Sequence, residues 1–157
     1  MTLFSRLIFG FIDRAARNGL APEPTSSAPV RDRQKGRQTG IRGETFAYWY
    51  LRRHGYTMVA RNFTVPGVKG EIDLIGYDGE ILAFIEVKTS TGDPDLFGKP
   101  EEAVTPEKRR HLSRMARQFL AERRIPEARC RFDVLAIESP PGCPPVVRLH
   151  KAAFADR

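Results

Sequence analysis

The sequence predicts an α/β domain in which helices pack on a central mixed sheet, and three observations carry that expectation. Helical and strand periodicities follow one another in the order α-β-β-β-α-β-β. The dipeptide Asp78-Gly79 separates two apolar strands, the strongest short-range signal of a hairpin. A helix with a clear start at Thr105-Pro106 and a clear apolar stripe then divides that hairpin from two later strands. At 157 residues the chain is about one domain long, enough to bury a core.

The elements follow in order. In residues 1–20, Phe4, Leu7, Ile8, Phe11, Ile12 and Ala15 recur at helical spacing, so an amphipathic helix is expected. Its apolar run is broken by Arg6 and ends at Asp13, which fits neither a signal peptide nor a membrane span. Docking on the same domain or on a partner is the preferred reading, and contact with an anionic membrane surface the weaker one. Residues 21–40, rich in Pro, Ser, Gly and charge, read as a flexible linker, which leaves the main domain to residues 41–157.

Within that domain, "RGETFAYWYLRRHGY" reads as a helix starting near Gly43, with Phe46, Ala47, Tyr50 and Leu51 as its stripe and Gly55 as its stop. A short strand, "TMVARNFTV", and a turn, "PGVKG", lead into the hairpin strands "EIDLIGY" and "EILAFIEVK". "TSTGDPDLFGKPEEAV" has no clean period and reads as a long loop at the open end of the hairpin. The second helix has Thr105 as N-cap and Pro106 as its first residue. Leu112, Met115, Ala116, Phe119 and Leu120 form its inner face, and it ends before Pro126. "RFDVLAI" and "VVRLH" are the last strands, and no internal repeat is present.

The hairpin holds the unusual chemistry. A two-residue turn at Asp78-Gly79 pairs Tyr77 with Glu80, and strand alternation then puts Ile72, Leu74, Gly76, Ile81, Ala83, Ile85 and Val87 on one apolar face. The opposite face carries Glu71, Asp73, Glu86 and Lys88 at its open end. Glu71 is expected across from Glu86, and Asp73 on the diagonal. Clustered carboxylates must be solvated, paired with cations or coordinated to a metal, and hard oxygen ligands suit Mg²⁺ or Mn²⁺ better than Zn²⁺. Lys88 is suitably placed to orient a water or stabilise developing negative charge. Glu44 shares a helix face with Ala47, Tyr48 and Leu51, where an ionised carboxylate needs a partner or a ligand. The same residue types also describe an exposed strand end with Lys88 in a surface ion pair, and types alone do not separate the two.

Charge adds a direction. The formal net charge of +7 favours polyanionic partners, nucleic acid or an anionic membrane surface. Lys108, Arg109, Arg110, Arg114, Arg117, Arg123 and Arg124 lie around the second helix, as a backbone-tracking surface or as a solvated face. Tyr48 and Trp49 are candidates for base stacking or for core packing. Cys130 and Cys143 form no framework, which fits a reducing, cytoplasmic setting. His54, His111 and His150 lack metal-ligand spacing, and there is no P-loop, G-x-S-x-G elbow or zinc motif.

The segments "RGETFAYWYLRRHGYTMVARNF", "GEIDLIGYDGEILAFIEVKTS", "KRRHLSRMARQFL" and "RFDVLAI" together resemble the YraN-like family of uncharacterised bacterial proteins, over roughly residues 41–150. That family is related to restriction-endonuclease-like nucleases and to archaeal Holliday-junction resolvases. The resemblance implies an αβββαβ nuclease core, with an acid and then an E-x-K triplet binding catalytic Mg²⁺ or Mn²⁺. These positions fall on Asp73, Glu86 and Lys88, and the helix-one acid of the resolvase-like members falls on Glu44, which is expected to complete the metal coordination or hold a second ion. Members usually follow the lysine with Thr and Arg, whereas this chain has Thr89 and Ser90. The activity so implied is a metal-dependent endonuclease acting on nucleic acid, DNA in preference, in branched or damaged form. A homodimer is compatible with it, since resolvase relatives act on two strands symmetrically. The alternative is a nucleic-acid-binding or assembly module whose acidic site is slow or unused.

Overall fold

In the computed structural model, which describes residues 42–90, 104–125, 129–140 and 143–155, two helices enclose a five-stranded mixed sheet. Residues 42–53 form α1. They are followed by β1 (Thr57–Phe63), β2 (Ile72–Asp78), β3 (Ile81–Ser90), α2 (Pro106–Arg123), β4 (Cys130–Glu138) and β5 (Val146–Phe154). The strands lie in sequence order, antiparallel throughout except for the parallel β3–β4 pair, which α2 bridges. The α/β expectation therefore holds. The N-terminal amphipathic helix, the linker and most of the loop after β3 lie outside the described residues.

Apolar patterning explains the layers. Phe46, Ala47 and Leu51 of α1 pack with Leu74, Ala83, Ile85, Leu135 and Ile137 on one face of the sheet. On the other face, Leu112, Met115, Ala116, Phe119 and Leu120 of α2 meet Ile75, Leu82, Phe84, Phe132 and Val134. Phe119 is the hub of this second layer, edge-on to Phe63 at 5.1 Å and to Phe84 at 5.8 Å between ring centroids. Both sheet faces are thus buried, which is why the hairpin strands read as nearly continuous apolar runs. Helix α1 closes in a Schellman arrangement, with Tyr56 N–H donating to Leu51 O and Gly55 N–H to Arg52 O. Helix α2 begins where the sequence indicated, its Thr105 hydroxyl accepting the Lys108 N–H at 3.3 Å.

The hairpin differs from its expected register. Asp78 pairs with Ile81 and Tyr77 with Leu82, so the loop is Gly79-Glu80 rather than Asp78-Gly79. Gly79 takes the left-handed conformation at the first loop position, φ +62°. Asp78 stays in the strand because its carboxylate is held by Arg131 and Lys151, each at 2.6 Å. The change is two residues, so side chains keep their faces but gain new partners. One residue does leave its expected face: Ile72 packs with Ile75 in the α2 layer rather than with Leu74. Ile81, expected in the core, is 40% exposed beside the turn.

The last strand is longer than "VVRLH". It runs to Phe154, which stacks on Phe132 at 4.8 Å. The extra residues are accommodated by an irregularity at Ala152, φ +53°, whose N–H donates to the buried Asp133 carboxylate at 2.9 Å. Cys130 and Cys143 form no disulfide. Among the described residues no helix is long and apolar enough to cross a membrane.

Candidate active site

Pairing of β2 with β3 runs from Asp78–Ile81 to Leu74–Ile85, and continuing it one step sets Asp73 across from Glu86. This corrects the expected facing pair of Glu71 and Glu86: Asp73 stands directly opposite Glu86. Just beyond Leu74 the ladder gives way, and the Asp73 carboxylate accepts the Val87 N–H at 2.7 Å. A side chain thereby takes a backbone donor of β3, which locks the acid at the edge of the core. Asp73 and Glu86 are only 7% and 3% exposed.

Two lysines meet Glu86. Lys88, two residues along the same face, approaches Oε1 at 3.0 Å, and Lys108 from the first turn of α2 bonds the same oxygen. The other oxygen, Oε2, is buried and has no hydrogen-bond partner among the described residues. An unmet carboxylate oxygen inside a protein is costly, which makes this position a candidate for a ligand. Burial, and then the negative charge of Glu86, push the Asp73 carboxyl up to about 7, against the Val87 N–H and Lys108, which favour its ionised form. A carboxyl raised by burial beside a second acid marks a candidate functional site.

Glu44 is near but separate. Its charge adds to the upward push on Asp73, while its own Oε2 accepts a 2.8 Å hydrogen bond from Asn62 on β1. It is brought to this end of the sheet by Gly43: a Cβ there would meet Thr89 Oγ1 at 2.0 Å, so α1 rests directly on β3. Among the described residues no three His, Cys, Asp or Glu side chains lie close enough to hold one metal ion. Glu71 lies before β2 and is exposed, bordering a cavity of about 280 Å³ that Lys69, Thr105, Lys108 and His111 also line. A larger cavity of about 560 Å³ lies beside Arg109, Arg110 and Phe154, with no carboxylate among the described residues that line it.

The residues present fit a divalent cation in chemistry. Asp73 and Glu86 supply hard oxygen donors, one of them unpartnered, in the pattern Mg²⁺ or Mn²⁺ uses. Lys108 is the residue that sequence reasoning placed only among the helix cations. Its spacing from Glu86, 22 residues, gave no local signal, although a lysine in the first turn of a helix, against the macrodipole, is a weak one. Tyr48 and Trp49 are half-buried and edge-to-face at 5.3 Å, with the Arg52 guanidinium over both rings.

Compared with known proteins, residues 43–137 match the model of the uncharacterised protein family UPF0102. A UPF0102 protein of Koribacter versatilis is 40% identical over 98% of this chain and 96% of its own length. One of Nocardia farcinica is 42% identical over 83% of the chain and 97% of its own, and one of Geobacter metallireducens 44% identical over 62% and 77%. The acid pair, both lysines and the Gly43 contact all fall within the matched span. The chain belongs to the UPF0102 family, the YraN-like family that its motifs resemble.

Proposed function

We propose that this protein is a divalent-metal-dependent nuclease that hydrolyses phosphodiester bonds, in branched or damaged DNA by preference. The observation that carries the reading is the buried Asp73–Glu86 pair with an unpartnered Glu86 oxygen and two lysines at its mouth. The mixed α/β sheet and the resemblance of its motifs to restriction-endonuclease-like nucleases support it.

Asp73 and Glu86 would hold the cation, Mg²⁺ or Mn²⁺, with Glu44 close enough to act through its charge. When bound, such an ion supplies Lewis-acid stabilisation of charge on phosphoryl oxygens. The chain's own groups do the rest. The Val87 N–H fixes the Asp73 carboxylate and favours its ionised form. The Lys88 ammonium, 32% exposed at the rim, donates to the negative charge that grows on the phosphate as water attacks. The P–O bond to the leaving strand breaks as the new one forms, the proton of the attacking water passes to solvent, and the departing oxygen takes a proton from solvent. The exposed Arg110, Arg114 and Arg117 of α2 supply a basic surface for neighbouring phosphates.

A second reading, a nucleic-acid-binding module with a slow or unused site, is favoured by one observation: two lysines already share Glu86 Oε1. A panel of flapped, nicked and four-way DNA separates the two. A nuclease cuts at least one substrate in Mg²⁺ or Mn²⁺ and none in chelator, and Asp73→Asn or Glu86→Gln abolishes cutting in a folded protein. Binding without cutting across the panel selects the module, and cutting that survives both substitutions removes the assigned site.

A further inference from the structure

We propose that Lys108 is a second phosphate-contacting lysine of this site, delivered by α2, and that the cavity it borders receives the strand beside the scissile phosphate. The inference rests on the nuclease reading and extends it to how substrate is held.

Position is the first argument. Lys108 touches a carboxylate whose side chain is 2% exposed, yet its own side chain is 39% exposed and lines the cavity of about 280 Å³ between Lys69-Gly70-Glu71 and the start of α2. It is therefore the group that connects the buried acids to open space. Lys88 reaches the same Glu86 oxygen from β3, so the two ammonium groups flank one point from two elements.

Charge is the second. With the acids ionised, Asp73, Glu86 and the neighbouring Glu44 against Lys88 and Lys108 sum to −1, and a divalent cation on the acids would leave one positive charge in excess. A phosphodiester crossing the mouth of the site answers that excess, and Lys108, whose side chain borders both Glu86 and the cavity, is the group placed to meet it. Local energetics point the same way. A cation in the first turn of a helix opposes the macrodipole, and Lys108 holds that place with its own N–H bonded to the Thr105 cap. Such a local conflict is expected where a side chain serves a ligand.

The test uses the full chain as wild type, Lys108→Gln and Lys108→Arg, each checked by thermal melting. Glutamine keeps an N–H donor for Glu86 without the charge, and arginine keeps the charge. Binding to a fluorescent flapped duplex is followed in Ca²⁺ at fixed concentration across monovalent salt concentrations, so that a divalent ion can occupy the acids, and single-turnover cleavage at saturating DNA in Mg²⁺. Expected for Lys108→Gln is a salt slope smaller by about one and a cleavage rate lower by on the order of 10². Lys108→Arg should recover the slope, with both variants folded at the assay temperature. A Gln variant that matches wild type in slope and rate overturns the inference. If wild type binds but cuts nothing, the nuclease reading falls and the slope alone decides for or against Lys108. If wild type does not bind DNA, both fall.

Discussion

Asp73 shows most clearly how one side chain can trade stability for a site. Its folded carboxyl is pushed up to about 7 from an ordinary value near 3.8, first by burial and then by Glu86. The sign follows from linkage. The folded state holds the proton more tightly, so the contribution is fully present below about pH 4 and is lost as pH rises towards 7. Asp73→Asn, which cannot ionise, should remove that slope and raise unfolding free energy at pH 8 by about 2 kcal/mol, measured by denaturant titration at pH 5 and pH 8. Asp78 works in the opposite sense. Hydrogen bonds from Lys151 and then Arg131 lower it to about 2, so its stabilisation is present above pH 4 and is lost as the folded group protonates in stronger acid. Sequence made the identity of Asp73, Glu86 and Lys88 legible because strand alternation and residue type suffice to place them on one face. It paired Glu86 with the wrong acid because the turn is set by Arg131 and Lys151, which lie 53 and 73 residues from Asp78 and are invisible to a local rule.

Among the elements, α1 is held to β3 by a contact with no slack. The missing side chain of Gly43 lets the helix start against Thr89, one residue past Lys88, and so sets where Glu44 stands. Gly43→Ala should cost about 1–3 kcal/mol by overpacking, and Thr89→Ala should return part of it, an interaction that a double-mutant cycle in urea would measure. Additive losses would show that the two residues do not meet. The helices themselves were readable from caps and periodicity, since Thr105, Pro106 and the α2 stripe are local signals. Strand alternation was a poorer guide at Ile72, whose place in the α2 layer depends on how β2 leaves the ladder at Asp73. Lys108 was legible as a charge and not as a neighbour of Glu86, because only the packing of α2 across the sheet brings them together.

Across the whole molecule the two ends of the sheet are built differently. At the turn end of β2, Arg131 bonds both Asp78 and the fully buried Asp133, Tyr56 and Lys151 join them, and every carboxylate has a cation. At the other end Glu86, though met by two lysines, keeps a buried oxygen with no hydrogen-bond partner among the described residues. Removing a cation from the first cluster strands a buried charge, so Arg131→Met should destabilise by about 3–5 kcal/mol in thermal or chemical melts. Glu86→Gln should leave stability within about 1 kcal/mol of wild type, because it removes a charge from a place where burial opposes it. That contrast separates a structural network from one kept for a ligand. The central claim is that Asp73 and Glu86 are built to hold a divalent cation. Its most direct test is a Mn²⁺ titration of wild type and of the Asp73→Asn/Glu86→Gln double variant, read by electron paramagnetic resonance of the free ion. Saturable binding by wild type that disappears in the folded double variant is the expected result, and equal binding by both proteins would contradict it.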